Sequence, residues 1–132
     1  MRGYSVGTAA LALSVDPKWL DNLLSQHRVE GVAQARQGVQ RRLAPSALYR
    51  VATVYALNRE LQIPVGGALR IAHELWRNPP GAGDGDRAIH QIEGMSLNID
   101  RSEIRARVDA ALAEALEIAP RPKRGRPRTR PV

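Results

Sequence analysis

The sequence predicts a mainly α protein: four helices with a short β-hairpin after the second, then a linker, a short strand, a C-terminal helix and a disordered basic tail. Three observations predict it. Apolar residues recur at helical spacing in five segments, each opened by a capping side chain or a proline. A stretch at 78–86 carries two prolines and three glycines, which no helix or strand interior accepts. The charge is uneven as well. Of the 20 Lys and Arg in 132 residues, six lie beyond Pro120 with no acid among them, which leaves 14 against 13 Asp and Glu in the rest of the chain. A neutral body with a basic arm suggests a polyanionic partner.

Each element has its own signal. Ser5 can accept from the free amides of a first turn, and Val6, Ala9, Ala10 and Leu13 then share one face, which gives helix 1 at 6–12. Asp16 caps and Pro17 begins helix 2, at 17–25, with Leu20, Leu23 and Leu24 inward. Two short helices joined by so few residues cross steeply and share a small core, the arrangement of a helix-turn-helix. Gly31, Gly38 and the scattered apolar residues between them fit two short strands and a loop. Pro45 opens helix 3, with Leu48, Val51, Ala52, Tyr55 and Leu61 as its stripe. Pro64 ends that segment and starts helix 4, with Val65, Leu69, Ala72, Leu75 and Trp76 inward.

Beyond the linker, Met95, Leu97 and Ile99 alternate with Ser96, Asn98 and Asp100 as a strand would. Asp100 and Glu103 form a cap and its reciprocal partner ahead of helix 5, at about 101–118. Arg101, Arg105 and Arg107 lie in its first half and Glu114 and Glu117 near its end, against the helix dipole. Antiparallel pairing with a second copy would set the basic half against the acidic half, with Leu97, Ile99, Ile104, Val108 and Leu112 as the dimerisation seam. The alternative is that helix 5 folds back on the four-helix core. The expected organisation is thus a four-helix domain with its hairpin at 1–77, a linker at 78–86, a dimerising strand and helix at 87–119, and a tail at 120–132.

Several classes fall away. With no cysteine there is no disulfide, thiolate metal site or cysteine nucleophile. His27, His73 and His90 lack metal-ligand spacing, and the GAGDG run at 81–85 has no strand before it, while Asp84 and Asp86 would repel phosphate, so it reads as linker. No catalytic frame, metal or cofactor is expected. The apolar run at 6–15 leads straight into a helix start and is too short for a membrane span, so the expected location is cytoplasmic.

The runs YSVGTAALALSVDPKWLDNLL, RRLAPSALYRVATVYALNREL and IPVGGALRIAHEL, in that order, make the first 77 residues resemble the DNA-binding domain of MerR-like regulators and excisionase-type winged helices. The resemblance implies a winged helix-turn-helix, with the second helix in the major groove and the hairpin, as wing, along flanking phosphates. It puts Lys18, Trp19 and Asn22 against the groove and Arg41 and Arg42 on the wing. The chemistry agrees independently. Asn can pair with an adenine edge, and 28–50 holds five arginines, among them Arg36 and Arg50, against the single acid Glu30. This chain departs from the pattern at Asp21, where the family has an arginine, at Leu23, often an aromatic, and at Leu43, which replaces the wing's tyrosine. Asp21 would repel phosphate and weaken the grip of helix 2.

In the tail, Lys123, Arg124, Gly125, Arg126, Pro127 and Arg128 resemble an AT-hook. Glycine lets the backbone descend into a narrow minor groove, arginines extend along its floor, and proline keeps the strand extended. The expected function is a dimeric bacterial transcriptional regulator that binds double-stranded DNA with sequence preference. The alternatives are an architectural, nucleoid-associated protein, or a phage or plasmid accessory factor such as an excisionase or partition adaptor that recruits a protein partner.

Overall fold

Five helices and two small antiparallel hairpins make up the computed structural model, which describes residues 3–33, 40–77 and 86–118. The helix starts follow the capping logic of the sequence. Ser5 Oγ accepts from the Thr8 amide at 3.1 Å and begins α1 (Val6–Leu13). Asp16 Oδ1 accepts from the Lys18 amide at 2.8 Å and begins α2 (Pro17–Gln26). Pro45 fills the first position of α3 (Pro45–Leu61), where a missing N–H costs nothing, and Pro64 immediately precedes α4 (Val65–Leu75). Asp100 Oδ1 takes the Glu103 amide at 3.1 Å at the start of α5 (Arg101–Ile118). Between α1 and α2 the chain reverses at Ser14, whose left-handed φ of 57° ends α1.

The first hairpin is minimal. β1 (Val32–Ala33) pairs with β2 (Arg42–Leu43) in the register Val32 to Leu43 and Ala33 to Arg42. Tyr4 adds a third rung on the other side of β2, exchanging both backbone hydrogen bonds with Leu43 at 2.8 Å. Leu43 is fully buried, so this hairpin is pinned by an aliphatic anchor. Gly31 enters β1 at φ +94°, and a Cβ there would sit 2.8 Å from Ser46 Oγ, so only glycine lets the hairpin lie this close to the start of α3.

One core runs through the molecule. Leu20, Leu43, Leu48, Val51 and Val54 are its largest fully buried side chains, and Ala9, Ala10, Ala68, Ile71, Leu75, Val108 and Leu112 belong to it as well. The stripe expected on α3 shifts by part of a turn: Val54 and Leu57 are buried, whereas Leu61 is 56% exposed.

The segment after the linker differs from expectation. The strand expected at 95–99 is not alone: β3 (Arg87–Ile92) pairs with β4 (Met95–Asp100) over six rungs, turning at Glu93 and Gly94, both at positive φ. Nor are the five residues expected at a dimer seam free for one. Val108 and Leu112 are 4% and 3% exposed within the chain's own core, and Leu97, Ile99 and Ile104 pack against it. The physical reason is that Val108 and Leu112 share one core with Ala9 and Ala10 of α1, whose small side chains let a helix pack closely. Helix 5 thus folds back on the four-helix unit, packing on α1 and α3.

Two of the three arginines in the first half of α5 find their counter-charge inside the same chain. Asp86, almost fully buried, accepts from Arg101 at 2.7 Å and pairs with Arg105 at 2.9 Å, while Arg101 also donates to the Leu75 carbonyl at 3.1 Å. Farther along, Asp109 accepts from the Tyr49 hydroxyl of α3 at 2.8 Å. Burial, and then that hydrogen bond, pushes the Tyr49 phenol up to about 12. No described helix is long and apolar enough to cross a membrane.

Candidate nucleic-acid interface

Helix α2 has two faces of opposite character. Leu20, Leu23 and Leu24 are buried, and their burial, at about 1.5–3 kcal/mol for each large side chain, fixes which face looks out. Lys18, Asp21, Asn22, Ser25 and Gln26 are all exposed. Their spacing of three and four residues places them along one ridge of about two helical turns, the length that a major groove admits. Lys18 and Asn22 therefore both lie on this exposed ridge. Ser25 and Gln26 continue the same ridge, and the spacing counted onward from Lys18 and Asn22 is the signal that finds them.

Trp19 does not share that ridge. It is half-buried, and its ring meets Tyr55 of α3 edge-on at 5.2 Å and 76°. Its aromatic surface is used to seat α2 on α3, which is a packing role and not a base-stacking one.

The hairpin is tied to α2 through the acid that looked unfavourable. Arg41 donates to Asp21 Oδ1 at 3.1 Å and to Ser25 Oγ at 3.4 Å. One guanidinium thus spans a helical turn of α2 and holds the approach to β2 against it. Asp21 is accordingly neutralised by a partner from the hairpin, and the repulsion expected of it is offset within the protein. Arg42, the next residue, is exposed and has no ion pair with a described residue. Arg28, just past the end of α2, is exposed too. With Arg41 it lines an open groove of about 450 Å³ between the end of α2 and the hairpin base, together with His27 and Glu30.

Arg50 is a correction. Expected as a phosphate contact, it is 6% exposed and directed inward. Its guanidinium donates to the Ser46 carbonyl at 3.2 Å, the Trp76 carbonyl at 3.1 Å and Glu30 Oε1 at 3.1 Å, tying the hairpin base, α3 and the end of α4 together. Desolvation lowers its pKa, partly countered by Glu30. Beside it, His73 Nε2 accepts from the Glu30 amide at 3.4 Å, and burial, with Arg50 adding to it, lowers the imidazole's pKa. Sequence counts Arg50 with the other basic residues of 28–50 because composition does not record direction. Its helical offset does, since it lies three residues after the buried Ala47 and three before the buried Thr53.

No protein-family model, curated protein or solved structure matches the chain. What this surface can bind follows from its own residues. Arg36 and the tail residues Lys123, Arg124, Gly125, Arg126, Pro127 and Arg128 lie outside the described residues. Among the described residues, no group of three His, Asp or Glu side chains could hold a metal ion.

Proposed function

We propose that the chain is a sequence-preferring double-stranded DNA-binding protein of the winged helix-turn-helix kind, acting as a transcriptional regulator. The observation that carries this reading is the exposed polar ridge of α2 clasped to a basic hairpin through Arg41 and Asp21. In this reading α2 enters the major groove. Asn22 offers the paired donor and acceptor that match an adenine edge, and Lys18 reaches guanine acceptors or phosphate. Arg41 occupies one carboxylate oxygen of Asp21, and the other can accept from a cytosine amino group. Arg42 and Arg28 neutralise the flanking phosphates, which position the protein without reading sequence. The tail then follows the minor groove, where Arg124 and Arg126 favour AT-rich flanks. A twofold assembly through α5 is not part of the proposal, because the stripe it would use is packed in the chain's own core.

The test is selection of bound sequences from a random DNA pool, with the full-length chain and with one ending at Ala119. Both should enrich one short motif, and only the full-length chain should add AT-rich flanks. Asn22→Ala should erase the motif while leaving general DNA affinity within about tenfold. If no motif emerges and the shortened chain loses nearly all affinity, the protein is an architectural binder driven by its tail and the reading fails.

A further inference from the structure

A second concavity, of about 430 Å³, opens where α1, α3 and α5 meet. Small side chains create it: Ala12 on α1, Ala52 and Ala56 on α3, and Ala111 on α5 line its walls, where larger residues would have closed the helices' junction. Tyr55, Arg59 and Arg107 complete the mouth. Arg59 is held in place by Tyr55, donating to its hydroxyl at 3.3 Å with the guanidinium 5.9 Å from the ring centroid. No carboxylate lines the concavity among the described residues, and neither Arg59 nor Arg107 has an ion pair with any described residue.

We propose that this groove binds a small organic acid, one carboxylate on a compact apolar or aromatic body. The volume lies in the range of small-molecule sites, and the alanine walls can take hydrocarbon out of water. Two exposed guanidinium groups at the mouth, with no counter-charge among the described residues, favour an anion, and their planar forks match a carboxylate. A bare phosphate would meet apolar walls that cannot satisfy its oxygens. The chain's own basic tail would meet two like charges. A neutral hydrocarbon would offer neither guanidinium a counter-charge. The site rests on this geometry alone and stands apart from the DNA-binding reading.

Tyr55 also supplies a reporter. Its ring forms part of the groove and meets Trp19 edge-on, so occupancy of the groove changes the surroundings of that indole. Trp76, the only other tryptophan, donates from its indole nitrogen to Thr53 Oγ1 at 2.9 Å inside the core and serves as the reference. The experiment follows the two indole N–H signals of nitrogen-labelled full-length protein during titration with benzoate and phenylacetate, with benzyl alcohol and phenylethanol as neutral matches. The acids should shift the Trp19 signal saturably and leave Trp76 unmoved, and the alcohols should bind at least about tenfold more weakly. Arg107→Gln should cost about tenfold in affinity for the acids, the loss of one charge-assisted contact. Ala56→Leu, which fills the groove from an exposed helix position, should abolish the shift while the Trp76 signal reports an intact fold. No saturable shift with millimolar acid, equal binding of the alcohols, or binding that survives Ala56→Leu would overturn the proposal. Shifts that grow with protein concentration and ignore the acids would assign the groove to a second copy of the chain, and would overturn it equally.

Discussion

Arg50 and Arg42 are eight residues apart, and the fold gives them opposite duties. Arg50 satisfies two backbone carbonyls from inside the protein, so Arg50→Ala should destabilise the fold by about 2–4 kcal/mol, the cost of stranding buried acceptors and losing the packed side chain. Arg42 touches solvent. Arg42→Ala should leave stability within about 0.5 kcal/mol and lower the salt dependence of DNA binding by about one phosphate contact. Urea melts and salt-titrated anisotropy, run on both variants, separate the two roles. Next to Arg50, His73 adds a pH dependence. Burial first, and then Arg50, depresses its pKa, so the folded chain takes up this proton less readily than the unfolded one, whose imidazole titrates at the ordinary 6.5. The contribution is present above 6.5 and is lost as the pH falls from there through the lower folded value. Melts at about pH 7.5 and about pH 5.5 should therefore show a loss on acidification that His73→Gln reduces.

At the scale of elements, α2 and the first hairpin behave as one unit because Arg41 bridges them. The pair is solvent-exposed, with Asp21's side chain 56% accessible, so its share of stability is at most about 1 kcal/mol. Its larger effect is positional. Asp21→Asn should release Arg41 to phosphate and remove an acid from the ridge, so affinity for random DNA should rise, the salt slope should steepen by about one, and discrimination between sequences should fall. Unchanged discrimination would show that the clasp does not set the hairpin's position. All five helices were legible in the sequence to within a residue or two, because each has a local start signal in Ser5, Asp16, Pro45, Pro64 or Asp100 and a local stripe. What stayed hidden depends on contacts across the chain. β3 was missed because Arg87 and His90 interrupt any apolar alternation and Glu93-Gly94 is a weak turn signal. The Arg50 contacts with Glu30 and Trp76 and the clasp on Asp21 were hidden for the same reason, since each joins residues 20 or more positions apart.

The whole molecule is closed by α5. Leu112→Ala removes a fully packed side chain from the seam between α5 and the other helices and should cost about 2–4 kcal/mol. Because the core is continuous, probes on α2 and on β4 should report the same lowered midpoint. Separate transitions would instead mark residues 86–118 as an independent unit. A further consequence comes from the buried Asp86. Its ion pairs with Arg101 and Arg105, the Arg101 hydrogen bond to Leu75 and the Arg101 guanidinium 5.8 Å from the Trp76 ring centroid lock the last segment onto α4 by noncovalent contacts alone. The peptide connection through 78–85 should then be dispensable once folding is complete. A chain cut there after folding should migrate as one particle in native sizing and fall into two fragments only in denaturant, so this small protein could be supplied as two separately made halves that reassemble.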